Sequence, residues 1–184
     1  EIVRSYIKSK KRYTYSQALK EIENKKNKFF QDLKTLALFL KEKRLERGSI
    51  DLSLPDARII LDDMGNPIKI KIEEYDLSHQ IIEEFMLKAN EVVASNLSKK
   101  SKFLIYRIHE EPPQNAFCDF FSFTKILGFK IPKSPTKKDI QHLFLKAKNT
   151  PFLHRLSISF LRSMKIAMYS LDNIGHYGLS LEHY

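Results

Sequence analysis

Carboxylates recur in adjacent pairs along this chain: Asp62 with Asp63, Glu73 with Glu74, Glu83 with Glu84, and Glu110 with Glu111. Clustered carboxylates are what two divalent metal ions need before they can polarise a phosphate and activate a water. Neighbouring residues on a helix or strand point different ways, so a dipeptide makes no site by itself. Solvated charge is the reading for most of these pairs. Glu83 stands apart, because it follows Ile82 and lies four positions before Leu87, on the margin of an apolar stripe. Its carboxylate is either exposed at a helix edge or aimed into a cleft. The six histidines (His79, His109, His142, His154, His176 and His183) form no HExxH or comparable ligand spacing. His109, which ends an apolar segment, and His176, in a Gly-flanked segment, each read as a satisfied polar group. Cys118 is the single cysteine. It excludes an intramolecular disulfide and a cysteine-based zinc cluster, and its apolar helix predicts that it packs as a small hydrophobe. There is no P-loop, no GxGxxG and no Ser-nucleophile elbow.

The cations point to a polyanion. Lys and Arg total 32 against 22 acidic residues, a formal net charge of +10. Such a field suits nucleic acid, an acidic membrane surface or an acidic protein, and a merely basic, soluble surface gives the same composition. The cations come in bursts: Lys8, Lys10, Lys11 and Arg12; Lys25, Lys26 and Lys28; Lys41, Lys43, Arg44 and Arg47; Lys99, Lys100 and Lys102. Tyr13 and Tyr15 interleave the first. Cations beside rings suit single-stranded nucleic acid, whose bases stack on aromatics for about 1–3 kcal/mol each. The bland counterpart is a solvated edge with one tyrosine packed on the core.

These side chains need elements to hold them. Of 184 residues, 42% are hydrophobic and 29% charged, which suits a folded domain and not a disordered chain. No apolar run reaches membrane-spanning length. Residues 2–7 read as a strand. Thr14 with Gln17 is a capping box that starts a helix at Tyr15 and carries it to about Asn24. A longer helix follows on Phe29, Phe30, Leu33, Leu36, Ala37 and Leu40, stopped at Gly48. "SIDLSL" and "ARIILDD", the turn "MGNP" and the strict alternation of "IKIKIEE" predict a hairpin that buries Ile68, Ile70 and Ile72 on one face. Asp76 caps a long helix whose stripe of Leu77, Ile81, Ile82, Phe85, Ala89, Val92, Val93 and Leu97 is expected to pack on a sheet. Residues 103–109 read as a buried strand. Three helices follow: one with Pro113 in its first turn and Gly128 at its end, one capped by Thr136 and Asp139, and one opened by Thr150–Pro151 and running to about Tyr169. The pattern is α+β, an antiparallel hairpin system with several helices packed on it.

Read in order, five blocks resemble the catalytic (RNB) domain of the ribonuclease II / ribonuclease R family of 3′→5′ exoribonucleases, and most of all its ribonuclease R branch. They are "RSYIKSKKRYTYSQ", "RGSIDL…ARIILDDMGNPIKI", "IIEEFMLKANEVVA", "YRIHEEP" and "FLRSMKIAMYSLDNIGHYGLSLEHY". The last is the most specific. The resemblance covers essentially the whole chain and is weakest between about Gln114 and Leu153. It implies a channel for single-stranded RNA leading to a buried site that releases nucleoside 5′-monophosphates, with magnesium as the cofactor. The family's metal-binding aspartates follow D-x5-D-x-D-D, and its S-P-I-R-R-Y segment carries an arginine for the scissile phosphate. Neither occurs here; Asp56 and Asp62 match the first pattern at only two of its four places and read as a coincidence. Residues 1–184 are therefore expected to be an internal fragment of a single, incomplete RNB domain, inactive in isolation, with magnesium held by residues outside it. A start on Glu1 without a signal-peptide core, and an end without a polar tail, agree with a fragment.

Carried over by position, the resemblance makes substrate-binding residues of Tyr15, near the 3′-terminal nucleotide, and of Glu83, which helps to hold that nucleotide. Arg107, His109 and His176 match common family positions and are assigned to site support or RNA contact. The chain departs from the family at or beside Leu52, where an aromatic residue often stacks near the last base. No residue within the chain is expected to be catalytic in itself or to bind metal. The partner implied is single-stranded RNA, for a monomeric cytoplasmic parent with no membrane or disulfide-linked partner. The alternatives are a non-catalytic RNA-binding relative and a basic scaffold for acidic proteins.

Overall fold

Thr14 starts the first helix in the way its side chain dictates. Its hydroxyl accepts from the Gln17 amide, and Gln17 Oε1 accepts from the Thr14 amide at 3.0 Å. The computed structural model describes residues 3–52, 56–73, 75–100 and 103–184. Helix α1 spans Tyr15–Glu23 and α2 Lys28–Glu46; the chain leaves α2 through Gly48 at a φ of 97°, a left-handed conformation that glycine adopts without steric cost. Strands β1 (Asp56–Leu61) and β2 (Pro67–Glu73) form an antiparallel hairpin. Its turn is held by Asp62, whose Oδ1 accepts from the Met64 and Asn66 amides. Helix α3 is Leu77–Lys100. Strand β3 (Tyr106–Ile108) pairs antiparallel with β4 (Met168–Ser170), and between them lie α4 (Gln114–Ile126), α5 (Lys137–Ala147) and α6 (Leu153–Ser163). A single 3-10 turn at Tyr177–Leu179 follows. The fold is α+β, with two small sheets and six helices among the described residues.

Two apolar clusters organise it. Ile22 of α1, Phe30 and Ala37 of α2, and Ile81 of α3 form one. Phe120 of α4, the α5 residues Ile140, Leu143, Phe144 and Ala147, and Leu156 and Phe160 of α6 form the other. Phe160 meets the Phe120 and Phe144 rings edge-on at 5.2 and 5.5 Å, the arrangement that aromatic quadrupoles favour. No helix among the described residues is long and apolar enough to cross a membrane.

The structure corrects several expectations, and burial is the usual reason. Residues 3–7 form no strand, and Tyr6 and Ile7 are fully exposed; Ile2 lies outside the described residues. Ile50–Leu52 are irregular, with Ser53 and Leu54 outside the described residues, and Leu52 packs against the second cluster. The hairpin forms as expected, but Ile68, Ile70 and Ile72 are about two-thirds exposed, because no described layer covers that face. The α3 stripe packs on α1 and α2 instead of a sheet, leaving Ile82, Val92 and Val93 exposed. In the 103–109 segment only Tyr106–Ile108 is strand; Ile108 is buried, whereas Phe103 and Ile105 are exposed. Pro113 caps α4 from outside its first turn. Helix α6 stops at Ser163 because the backbone turns extended at Met164 and Met168–Ser170 are taken by the ladder to β3. Cys118 is exposed, on the side of α4 opposite the buried Phe120 and Thr124.

Candidate nucleic-acid interface

The start of α3 gathers several polar and aromatic residues into contact. Asp76 Oδ1 accepts from the amides of Ser78 (2.8 Å) and His79 (3.3 Å), the donors a helix start leaves unpaired. It also accepts from Ser78 Oγ and, at 2.9 Å, from His79 Nδ1. Burial pushes the Asp76 carboxyl up, but these hydrogen bonds outweigh it and hold its pKa below the ordinary value. Pinned this way, the His79 ring lies flat against Tyr15, with centroids 3.7 Å apart and planes 16° from parallel. Tyr75 tilts against His79 at 5.8 Å, and its hydroxyl donates to Glu83 Oε2.

Glu83 stands one helical turn after His79, so Tyr15 and Glu83 share the N-terminal end of α3. Glu83 is half-buried. Burial pushes its pKa above the ordinary carboxylate value; Arg44 pulls it down, while Asp51 and Glu84 add to the upward push. Tyr15 is 49% exposed. Tyr13 turns inward, edge-on to Phe30 at 5.3 Å, with Lys11 Nζ 4.4 Å from its ring centre. Of the two interleaved tyrosines, Tyr13 is partly buried against the first cluster and Tyr15 is on the surface.

Glu84 was read as solvated charge and is 2% exposed. Arg44 Nη2 donates to Glu84 Oε1 at 2.7 Å and Nε lies 3.1 and 3.2 Å from the two carboxylate oxygens, a fork-to-fork geometry. Arg44 Nη1 donates onward to Ser49 Oγ, and Ser49 Oγ to the Gly178 carbonyl, both at 3.2 Å. The Gly178 amide then donates to His109 Nδ1 at 3.2 Å. That puts the ring proton on Nε2, which donates to the Lys165 carbonyl at 2.8 Å. A continuous polar chain therefore runs from α3, through α2, to His109. A Cβ at position 178 would stand 3.0 Å from His109 Nδ1, so any other residue would press the His109 ring back by a few tenths of an ångström.

His109 and His176 sit edge-to-face, 4.9 Å between ring centres, and a backbone bridge joins them. His176 Nδ1 accepts from the Leu179 amide, and Tyr184 packs on its ring at 5.4 Å. Burial, helped by the charges of His109 and Arg107, pulls the His176 pKa down to about 4. Both histidines line a cleft of about 880 Å³, shared with Arg47, Lys137 and Glu111. Arg107 projects elsewhere: it is exposed, with its guanidinium 5.8 Å from the ring centre of its cross-strand partner Tyr169. The geometry thus brings His109 against His176, places Tyr15 and Glu83 at the same end of α3 with His79 and Tyr75 between them, and leaves Arg107 on the outer side of β3. His79 and Arg44 were missed. The four-residue spacing from His79 to Glu83 was a usable signal, but nothing local marked Arg44.

Among the described residues no group of three or more His, Cys, Asp or Glu side chains could hold a metal ion. Asp62 is committed to its own turn. The described residues therefore do not fit a metal centre.

A model of the RNB domain matches residues 1–184. The chain is similar to ribonuclease R of Chlamydia pneumoniae, at 39% identity over 190 residues, and of Aquifex aeolicus, at 37% over 195. Each alignment takes in 100% of this chain and 28% of the relative. A solved structure of Mycoplasma genitalium RNase R in complex with ribose-methylated single-stranded RNA superposes with a TM-score of 0.86 at 28% identity, over 96% of this chain and 29% of that one. The chain spans less than a third of the length of these relatives. It belongs to the RNB domain family, on the ribonuclease R side of it.

Proposed function

We propose that this chain is an internal part of the RNB domain of a 3′→5′ exoribonuclease, and that it receives the 3′ end of single-stranded RNA. The parent then acts in the cytoplasm as a monomer and releases nucleoside 5′-monophosphates. The observation that carries this reading is that Tyr15, stacked on His79, lies at the end of α3 that carries Glu83 one turn further on. A half-exposed ring can take a base on its free face, and a carboxylate can accept from sugar hydroxyls of the same nucleotide. His109 and His176 line the cleft on the far side of the Arg44 chain, and Arg107 adds a cation to the outer surface. Magnesium, when bound, polarises the scissile phosphate and activates a water. In this reading its ligands are carboxylates of the parent outside residues 1–184.

Two experiments test the proposal. The 184-residue chain, incubated with 5′-labelled single-stranded RNA and magnesium, releases no mononucleotide, whereas the parent does; release by the chain above background would contradict the assignment. In the parent, Tyr15→Ala changes the length of the final product more than it changes overall RNA affinity. Stacking is worth about 1–3 kcal/mol per base, and the remaining contacts to the strand persist. An unaltered product pattern removes Tyr15 from the site.

A further inference from the structure

Tyr15 has no rigid seat of its own. It is the first residue of α1, it is half exposed, and the segment before it is irregular. What it does have is His79 behind it, face to face at 3.7 Å. The imidazole is itself immobilised, because its Nδ1–H donates to Asp76 and its amide donates to the same carboxylate oxygen. Asp76 is fixed in turn by the start of α3, where a carboxylate is favoured by both hydrogen bonding and the helix dipole.

We propose that His79 is a positioning residue for the terminal nucleotide: a flat back-plate, clamped by Asp76, that holds the Tyr15 ring so that its outer face receives the last base of the RNA. This inference rests on the reading of Tyr15 as a base-stacking residue. It assigns a role to His79 that needs no contact between His79 and RNA. The same helix turn carries Glu83, so the back-plate fixes the tyrosine relative to the carboxylate that faces the sugar. Flat rings in direct contact stabilise each other enough to change binding about 2- to 10-fold, which sets the expected size of the effect.

The test uses the full-length parent and 5′-labelled single-stranded RNA, with KM, kcat and final product length as readouts. His79→Gln can still bond to Asp76 but offers no aromatic plate; it raises KM about 2- to 10-fold, leaves kcat close to the parent value and shifts the final product as Tyr15→Ala does. His79→Phe keeps the plate and gives up the bond to Asp76, so it restores most of both readouts. In the double variant with Tyr15→Ala, the His79→Gln change adds nothing further, because the two residues act as one unit. If His79→Gln matches the parent in KM and product length while Tyr15→Ala does not, the back-plate role is overturned and Tyr15 keeps its place. Full additivity in the double variant, or failure of His79→Phe to rescue while its unfolding midpoint matches the parent's, also overturns it. If Tyr15→Ala itself changes nothing, the stacking reading falls first and the role of His79 falls with it.

Discussion

Arg44→Met, with Glu84 left in place, lowers stability by about 3–5 kcal/mol, the cost of stranding one member of a buried ion pair. Both side chains are almost fully buried, at 5% and 2% exposure, and no described buried polar side-chain atom is left without a partner. Removing the guanidinium strands the Glu84 carboxylate and takes away the donor to Ser49. The loss is read as a lower urea midpoint with an unchanged slope. Glu84→Gln goes the same way by leaving the buried guanidinium unneutralised. The double replacement Arg44→Met with Glu84→Leu recovers much of the loss, since apolar side chains of similar volume avoid the desolvation of two charges. Equal losses in the single and double variants would show that the pair contributes through packing alone. The functional consequence is separable: the pair links α2 to α3 one residue beyond Glu83, and its onward bonds reach His109.

Acidification to pH 4.5 removes roughly 2–3 kcal/mol of stability through His176 alone, taking 1.36 kcal/mol per pH unit between the unfolded and folded pKa values. The folded value is about 4, against 6.5 when the ring is free in the unfolded chain. Between those values the unfolded chain binds the proton and the folded one does not. The contribution is therefore fully present above pH 6.5 and is lost as pH falls toward 4. Asp76 and Asp139, whose pKa values are depressed by accepted hydrogen bonds, lose their contributions at still lower pH. Glu83 acts in the opposite sense, because its raised pKa makes protonation favour the folded state. The difference between parent and His176→Asn isolates the histidine: asparagine can still accept from the Leu179 amide but does not titrate. Urea midpoints at pH 7 and pH 4.5 decide the matter. The variant shows a shallower pH dependence, and identical pH slopes would mean that His176 is not protected from protonation.

The local signals in the chain were legible because each is settled within a few residues. Thr14 with Gln17, Asp76 with Ser78 and His79, and Thr136 with Asp139 start their helices as their spacing requires. Gly48 and Gly128 end theirs at positive φ. The alternation of Ile68, Ile70 and Ile72 identified a strand of the hairpin that the structure forms. The same alternation promised a buried face, and that failed, since period-2 alternation states which residues share a face and says nothing of what covers it. The end of α6 failed for a related reason. Helical spacing continues through Met168, but pairing with residues about sixty positions earlier captures that methionine for a strand.

The amino-acid order alone determined where most helices begin, which residues turn the chain, and, through the spacing of its five blocks, the RNB family and the candidate pair Tyr15 and Glu83. Only the tertiary structure decided that His79 lies between that tyrosine and the α3 cap, and that Arg44 neutralises Glu84 forty positions away. It also decided that His109 and His176 meet across a loop closure of sixty-odd residues. Caps and turns are competitions among groups that the covalent chain already holds within reach. Burial, ion pairing and ring stacking join groups whose proximity exists only after distant segments have packed, so no window of sequence contains them.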